Sequence, residues 1–362
     1  MFKKFKVLLL TTLVTGGITG CGTSMYKAME QDNERILVTL VLDKGGVNDG
    51  SFYESAWKGA ENAYKELGVE VKYLESNTDS DYITNIETAI DMESDLIIGV
   101  GFNLSQSIED AAINYPEQKF AIVDGSFEKI PDNVTPITFN EKEAGYLAGL
   151  ATAKTIDSDK FGFVGGFEVP AVVNYKDGFE QGLKEVNPDA VLSVQYANSF
   201  TDAAKGRVIA EQMITQDVSA ICTAGGGVNN GVYEACKENG KYSVAVDMAQ
   251  SNIAPETILT SAIKRVDVGV SETIKKYIDG SLKGGSNLTY NKYLTKHKLN
   301  MAGTFTDEDP ELEYITYYQP NYKFFQTSEL SEYNTKYLHW NKTVRDNPDR
   351  ISFWFDFLDS SE

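Results

Sequence analysis

Short apolar runs alternate with segments that carry apolar residues at helical spacing over most of the chain. The first run covers residues 36–42, and in the segment after it Ala56, Ala60 and Ala63 recur every three or four positions. The short runs predict buried strands, and the periodic segments predict amphipathic helices. Repeated alternation of strand and helix is typical of a parallel sheet with right-handed crossovers, so the pattern predicts an α/β fold.

The alternation occurs in two successive series. Strands are predicted in the first series at 36–42, 69–74, 96–100, 120–123 and 136–139, and in the second at 161–164, 191–196, 220–223, 242–246 and 257–262. Two series of similar size predict two lobes, each a doubly wound parallel sheet flanked by helices. We expect lobe 1 at residues 36–139 and lobe 2 at residues 140–263.

One more helix is predicted at residues 266–279, and it is too short to build a third lobe. We therefore expect residues from about 264 to 284 to return to lobe 1. The chain would then cross between the lobes more than once. Such crossings form a hinge, and the ligand of a hinged protein binds in the cleft between its lobes.

The loops after the predicted strands are rich in acids, aromatics and glycines. In doubly wound sheets, ligand-binding residues collect in the loops at the carboxyl ends of strands. In lobe 1 this rule selects Asp43, Asn48, Asp49, Ser51, Phe52, Gly101, Phe102, Asn103, Asp124 and Gly125. In lobe 2 it selects Gly165, Gly166, Phe167, Asn198, Ser199, Phe200, Gly225, Gly226, Gly227, Asp247 and Lys264.

Three of these residues, Asp43, Asp124 and Asp247, are aspartates at strand ends. Carboxylates accept hydrogen bonds from neighbouring hydroxyl groups, often with both oxygens. Aromatic side chains stack on flat rings. Acids, aromatics and one lysine at the same strand ends therefore suit a polyhydroxylated ligand that carries a flat ring.

Each of these positions also has a purely structural interpretation. Asp49 could cap the helix that begins near Ser51, because aspartate at a strand end is commonly a helix N-cap. Phe52 and Phe200 could belong to the core. The glycines at 225–227 lack the Lys-Ser/Thr pair of a Walker loop, which excludes that phosphate-binding chemistry.

The first twenty residues have the features of a secretory signal. Lys3, Lys4 and Lys6 precede a short apolar run at 7–14, and small residues stand directly before Cys21. This order predicts a lipoprotein signal peptide at 1–20, with Cys21 as the lipidated first residue of the mature chain. An ordinary signal peptide is the alternative. Acyl chains on Cys21 would anchor the protein at the extracytoplasmic face of the cell membrane, and residues 21–35 are expected to form a tether.

Composition excludes several classes of function. The formal net charge of −20 offers no basic stripe to phosphates, so we expect no nucleic-acid partner. The two histidines, His297 and His339, and the lack of a CxxC motif leave little material for a metal or cofactor site. Cys222 and Cys236 are expected to be buried free thiols. Residues 285–362 lack long periodicity and are assigned to a C-terminal extension.

Several motifs together resemble one known family. The stretch "DKGGVNDGSFYESAWKGA" is similar to the first motif of the basic membrane protein family, the nucleoside-binding lipoproteins of ABC transporters. Further matches follow in the same order over about residues 36–280: "FAIVDG", "TFNEKEAGYLAGLATA", "FGFVGGFEVPAVVNYKDGFEQG", "SFTDAAKGRVIAEQMI", "TAGGGVNNGVYEACKENG", "VAVDMAQ" and "LTSAIKRVDVGV". The resemblance implies the two-lobe periplasmic-binding-protein type I fold and a purine nucleoside as ligand.

The resemblance also implies contacts to the base of such a ligand. Phe52 and Phe200 would sandwich the base. Asp124 and either Asn48 or Asp49 would contact the base or its edge, with Asp43 nearby.

For the sugar, the resemblance implies that Asp247 and Lys264 bind the ribose hydroxyls, with the backbone of Gly225 and Gly227 close by.

This chain departs from the family pattern at Tyr53, where asparagine is usual, and in the length of its C-terminal tail. A change beside the base could alter base contacts. Some members of the family are thought to bind other flat ligands such as flavins, so the identity of the base stays open.

The leading hypothesis is a lipid-anchored, extracytoplasmic substrate-binding protein that delivers nucleosides to an ABC permease, acting as a monomer without catalysis. One alternative is a surface adhesin or sensor that uses the aromatic tail. The alternative from the enzyme class is a nucleoside hydrolase. Such enzymes need a clustered run of aspartates that binds calcium, whereas Asp43 and Asp49 are separated by glycines and no third acid is adjacent.

Overall fold

The structure is a computed structural model that describes residues 35–290. The predictions on the signal peptide at 1–20 and on lipidation of Cys21 lie outside the described residues. The same holds for nearly all of the tether and for the part of the C-terminal extension after residue 290.

Strands and helices alternate along the described chain. The strands are β1 (Leu37–Leu42), β2 (Glu70–Glu75), β3 (Leu96–Val100), β4 (Lys119–Val123), β5 (Val134–Phe139), β6 (Lys160–Gly165), β7 (Val191–Tyr196), β8 (Ala220–Ala224), β9 (Tyr242–Asp247), β10 (Ile258–Ile263) and β11 (Leu288–Tyr290). The helices are α1 (Phe52–Leu67), α2 (Asp81–Asp91), α3 (Ser105–Asn114), α4 (Glu141–Thr155), α5 (Pro170–Val186), α6 (Ala203–Thr215), α7 (Val228–Glu238) and α8 (Val266–Ile278). The ten strands predicted from apolar runs are all present, with ends shifted by a few residues.

The strands form two parallel sheets, in the orders β11-β5-β4-β3-β1-β2 and β10-β9-β8-β6-β7. In both sheets the first strand lies beside the third, so the winding direction reverses at β1/β3 and at β6/β8. Ligands of open α/β sheets bind at such reversal points, outside the carboxyl ends of the strands. The predicted α/β class with two parallel sheets is confirmed.

Helices cover both faces of each sheet, and a hydrophobic core fills each face. Strands β3 and β8 are buried along their whole length, which explains their continuous apolar sequence. The edge strands β2 and β7 have only exposed and half-buried residues, and their sequences are correspondingly mixed.

The chain passes between the two sheets at two places in the described residues. It leaves the first sheet after β5, at Asn140, and α4 then packs against α5 and β10 of the second. It returns after β10, through Lys264 and Arg265, and α8 then packs against α1. The exact limits of the lobes stay a prediction.

Strand β11 was not predicted, since residues from 285 onward were assigned to the C-terminal extension. It pairs in parallel with β5 at the edge of the first sheet. The Thr138 and Thr289 hydroxyls lie 2.8 Å apart, and the rings of Phe139 and Tyr290 stack with centroids 5.6 Å apart. Three residues are too few to show a periodic pattern, so the strand depends on contacts that sequence periodicity does not report.

Helices α4 and α5 pack with their backbones in direct contact. Gly145 and Gly149 of α4 and Gly178 and Gly182 of α5 form this contact, and a Cβ on any of them would lie 2.0–2.3 Å from a carbonyl oxygen of the other helix. Side chains cannot fit at that separation, so these four positions require glycine. The contact fixes α4 relative to α5 over residues 142–150 and 175–183.

We expect Gly178→Ala to destabilise the protein, although alanine is the better helix former by about 0.5–1 kcal/mol. The new Cβ would lie 2.0 Å from the carbonyl oxygen of Lys142, so the two helices must separate. Overpacking of this kind costs about 1–3 kcal/mol, which exceeds the gain in helix propensity. Urea unfolding followed by circular dichroism measures the change in midpoint.

The matched control is Asn62→Ala, on the exposed side of α1, where only helix propensity changes. Its unfolding midpoint should stay the same or rise. A midpoint for Gly178→Ala at or above that of the unchanged protein would show that the helices do not pack as closely as described.

Candidate functional site

A cavity lies between the two sheets at the carboxyl ends of their strands. It contains about 660 Å³ of space, including the part open to solvent, which is within the range of small-molecule sites. The lining comes from both sheets and from the first turns of α1 and α5: Asp43, Phe52, Tyr53, Gly101, Phe102, Asp124, Val169, Pro170, Ala171, Val172, Tyr175, Phe200, Ala224, Gly226, Val246, Asp247 and Lys264.

Six of the ten residues named as ligand-binding from the sequence line this one cavity: Asp43, Phe52, Asp124, Phe200, Asp247 and Lys264. The other four, which are Asn48, Asp49, Gly225 and Gly227, are not among the residues that line the cavity. The structure therefore brings together residues that are far apart in the chain. Their roles toward a ligand stay predictions.

Asp49 caps helix α1, which is the alternative to a ligand contact that the sequence left open for this residue. Its Oδ1 accepts hydrogen bonds from the backbone N–H groups of Ser51 at 2.9 Å and Glu54 at 3.0 Å, and its Oδ2 accepts one from Tyr53 at 3.1 Å. These are the N–H groups that a helix start leaves without partners. The neighbouring Asn48 is exposed. Asp49 thus holds in place the turn that carries Phe52.

The glycine loop after β8 supports Phe200. The N–H of Gly227 donates to the carbonyl oxygen of Phe200 at 2.8 Å, and the N–H of Gly225 donates to Oδ1 of Asn229 at 2.8 Å. Gly226 lines the cavity with a φ of +58°, and a Cβ there would lie 2.8 Å from the Phe200 carbonyl oxygen. The loop needs glycine because it passes directly under this aromatic residue.

Asp43 is held by three hydrogen-bond donors. Its Oδ1 accepts from the Tyr82 hydroxyl and from the backbone N–H of Lys44 at 2.6 Å, and its Oδ2 accepts from the Asn103 amide at 2.7 Å. Gly101, with a φ of +119°, packs directly against the Asp43 side chain. The carboxylate is therefore fixed in orientation at the end of β1.

Sequence reasoning missed Tyr82 as a site residue. The residue lies in the first turn of α2, and an aromatic residue on an amphipathic helix predicts core packing. Only the contact with Asp43, 39 positions earlier in the chain, shows its part in the site.

Lys264 forms a buried ion cluster with two carboxylates. Its Nζ donates to Oδ2 of Asp124 at 2.5 Å and lies 2.8 Å from Oε1 of Glu141. The side chains of Lys264 and Glu141 are both 3% exposed. The same Nζ lies 5.4 Å from the ring centroid of Phe52 and 5.1 Å from that of Phe139, which adds a cation–π contribution.

Glu141 was not selected from the sequence. It is the first residue of α4, and an acid in a first turn is expected there simply because it interacts favourably with the helix dipole. Two glutamates occupy that turn, and spacing alone does not show which one is buried.

The cluster shifts the acidities of its members. Burial alone would lower the pKa of Lys264, but the carboxylates of Asp124, Glu141 and Asp247 raise it above its ordinary value, so the ammonium stays charged. Burial raises the pKa of Asp124 to about 6, although Lys264 opposes the shift. Burial likewise raises the pKa of Asp247 to about 6, against the opposing effects of Lys264 and the Ser51 hydroxyl. Both aspartates are mainly ionised at neutral pH.

Asp124 and Asp247 share an unusual backbone conformation. Their φ angles are +61° and +65°, in the left-handed region that residues other than glycine seldom adopt. Each stands where a strand ends, and the left-handed turn sends the chain away while the side chain stays at the cavity. Backbone strain of this kind is concentrated at functional sites.

The aromatic lining comes from two separate parts of the chain. Phe52 is the first residue of α1, and Phe200 lies in the loop between β7 and α6; both are half-buried. Phe52 packs edge-on against Tyr53 with ring centroids 5.3 Å apart, and Phe200 packs against Phe167 at 5.2 Å. Tyr53 is itself buried and lines the cavity, so this departure from the family pattern lies at the site.

Three further observations limit the chemistry of the described residues. Within residues 35–290, no group of three or more His, Cys, Asp and Glu side chains is placed to hold a metal ion. No helix of that part combines the length and the apolar character needed to cross a membrane. Cys222 and Cys236 are buried free thiols, as expected, and burial raises the pKa of the Cys236 thiol to about 12.

Comparison with known sequences places the chain in a family. The family described as "ABC transporter substrate-binding protein PnrA-like" matches residues 36–293. The ABC transporter nucleoside-binding protein BmpA of Lactococcus lactis is 37% identical over 273 residues, covering 70% of this chain and 78% of its own. The CD4+ T-cell-stimulating antigen of Listeria innocua is 34% identical over 316 residues, covering 80% of this chain and 88% of its own.

Comparison with solved structures confirms the fold. A solute-binding protein of an ABC transporter system from Aeropyrum pernix superposes with a TM-score of 0.67 at 26% identity, and the match covers 90% of each chain. The predicted periplasmic-binding-protein type I fold is therefore confirmed. The chain belongs to the PnrA-like family of ABC transporter substrate-binding proteins.

Proposed function

We propose that this substrate-binding protein captures nucleosides, purine nucleosides first, and delivers them to an ABC permease. The observation that carries the proposal is the cavity itself, where three strand-end carboxylates, a buried lysine and two phenylalanines from separate parts of the chain lie together. The name of the Lactococcus relative, a nucleoside-binding protein, supports the same ligand class.

The two aromatic residues suit the base. Phe52 and Phe200 line the cavity from the first and second halves of the described chain, and both rings are held by edge-on neighbours. A base stacked on an aromatic ring gains about 1–3 kcal/mol regardless of its identity, so stacking supports a flat ligand without choosing among bases. We propose that Asp124 contacts the edge of the base and selects for N–H donors there.

The carboxylate of Asp247 suits the sugar. Its Oδ2 accepts a hydrogen bond from Ser51, and the residue lines the cavity, so we propose that Oδ1 accepts from a ribose hydroxyl. Lys264, already paired with Asp124 and Glu141, would donate to the same sugar. Substrate capture requires no bond to break, and we expect no catalysis.

We propose further that the protein is a monomer held at the extracytoplasmic face of the cell membrane by acyl chains on Cys21. The basic start, the apolar run and the small residues before Cys21 support this anchor. Closure of the two lobes on a nucleoside would trap it and present both lobes to the permease, since a ligand that binds the closed state better shifts the population toward it.

Calorimetry with ligand-stripped protein tests the ligand class. We expect guanosine, inosine or adenosine to bind, and the matching 2′-deoxynucleoside to bind about 10–100-fold more weakly, because a hydrogen bond to a charged group contributes about 1.5–3 kcal/mol. Asp247→Asn should weaken binding of the ribonucleoside and reduce the difference between the ribo and deoxy forms.

The matched control is Asp49→Asn, which removes one charge but keeps a helix-capping side chain. Its affinity should stay within about threefold of the unchanged protein if Asp49 only caps α1. Riboflavin is titrated in parallel, together with a search for free hypoxanthine after incubation with inosine. Lack of binding by every nucleoside, with riboflavin bound instead, would overturn the proposal.

We also expect nucleoside affinity to fall as the pH is lowered through about 6. Burial raises the pKa of Asp124 and Asp247 to about 6, and a ligand that donates hydrogen bonds to the ionised carboxylates loses them on protonation. Affinity should be constant from pH 8 to 7 and should then drop up to tenfold per pH unit for each group. Calorimetry from pH 8 to 5 measures this, and an affinity that stays level or rises toward pH 5 would contradict it.

A further inference from the structure

A chain of buried polar side chains connects α1 with the second sheet. Ser51 stands directly before α1, and its hydroxyl donates to Oδ2 of Asp247 at 2.7 Å. The side-chain amide of Gln250 donates to the same Ser51 oxygen at 3.2 Å. Ser51 is 2% exposed, Gln250 3% and Asp247 8%, so water does not compete for these bonds.

Gln250, the member of this hydrogen-bonded row that belongs to the second sheet, is fixed by three further hydrogen bonds. Nε2 of Gln250 also donates to the carbonyl oxygen of Val246 at 2.9 Å, and its Oε1 accepts from the hydroxyl of Tyr233 at 2.8 Å. The backbone N–H of Gln250 donates to the Ser261 hydroxyl at 3.2 Å. Gln250 therefore moves with β9, β10 and α7.

Ser51, at the other end of this hydrogen-bonded row, is fixed to α1. The N–H of Ser51 donates to Asp49 at 2.9 Å, and its carbonyl oxygen accepts from the N–H of Ser55 at 3.0 Å. Ser51 therefore moves with α1 and the first sheet. Because its hydroxyl has one proton, which goes to Asp247, the bond from Gln250 must use a lone pair. Both bonds exist only while the two sheets stand as close as they do in this structure.

We propose that Ser51 is a positioning residue that orients the Asp247 carboxylate toward the ligand when the lobes close. Ser51 occupies Oδ2, which directs Oδ1 to a ligand hydroxyl. The lobe that does not carry Asp247 thereby completes the sugar site, and opening of the cleft releases both the carboxylate and the ligand. The inference rests on the proposed function, because it concerns the same carboxylate.

The expected effect of Ser51→Ala appears mainly in the dissociation rate. The variant cannot donate to Asp247 or accept from Gln250, so the closed, liganded state loses two buried hydrogen bonds. We expect nucleoside to dissociate about tenfold faster or more, with an association rate changed less than about threefold, in stopped-flow fluorescence.

The pH dependence of binding distinguishes a Ser51 that orients Asp247 from a Ser51 that only stabilises the start of α1. The titratable groups that face Asp247 are Asp49, Tyr53, Asp124, Tyr233 and Lys264. Ser51→Ala leaves all of them in place and removes one donor that lowers the pKa of Asp247. The pH midpoint for binding should therefore move upward in this variant, and Ser51→Thr, which keeps the hydroxyl, should restore it.

The matched control is Ser55→Ala, one turn later on α1. Ser55 is also buried, at 3% exposed, but its hydroxyl accepts from the N–H of Asp267 in α8, which packs on α1 in the same lobe. We expect this variant to leave the pH midpoint and the dissociation rate unchanged. Circular dichroism establishes that both variants are folded before rates are compared.

The outcomes are distinguishable. Failure of the unchanged protein to bind any nucleoside would overturn the proposed function. Binding by the unchanged protein, with the same dissociation rate and pH midpoint in Ser51→Ala, would overturn only the positioning role. Equal weakening by Ser51→Ala and Ser55→Ala without a shift of the pH midpoint would also overturn it, since a hydroxyl that merely supports α1 would behave in that way.

Discussion

The ammonium group of Lys264 is the interaction on which the rest of the site depends. It is buried between the carboxylates of Asp124 and Glu141, and a buried charge without partners costs several kcal/mol. Glu141 begins α4 just after the chain leaves the first sheet, and Lys264 stands where the chain returns. The charge requirement of one side chain therefore ties both crossings to the end of β4, and with them the relative placement of the two sheets.

The same cluster determines which ligands the cavity favours. Lys264 is the only cationic side chain in the described lining, and two carboxylates already neutralise it, while Asp43 and Asp247 add further negative charge. Asp43 already accepts three hydrogen bonds from the protein, whereas Asp247 and Asp124 each accept one, at Oδ2, and so have more capacity for a ligand. A site of this charge favours uncharged molecules rich in hydroxyl and N–H donors.

Much of the fold was predictable, because strands buried on both faces must be apolar throughout and the aspartates that end them interrupt that pattern. The roles of Tyr82 and Glu141 were not, because an aromatic on a helix and an acid in a first turn each have an ordinary local explanation. For Asp49 the sequence suggested more than a local role. Its type and position suited a ligand contact, whereas in the structure it accepts hydrogen bonds from three backbone N–H groups and caps α1.

The left-handed backbone at Asp124 and Asp247 has a consequence for how such a protein can diversify. Asparagine adopts this conformation as readily as aspartate, so one substitution can exchange a carboxylate for an amide without rebuilding the turn. The amide supplies a donor as well as an acceptor at the same point in space. Proteins with this fold can therefore exchange hydrogen-bond acceptors for donors in the ligand site by single substitutions, while the strand ends and the crossings between the sheets stay unchanged.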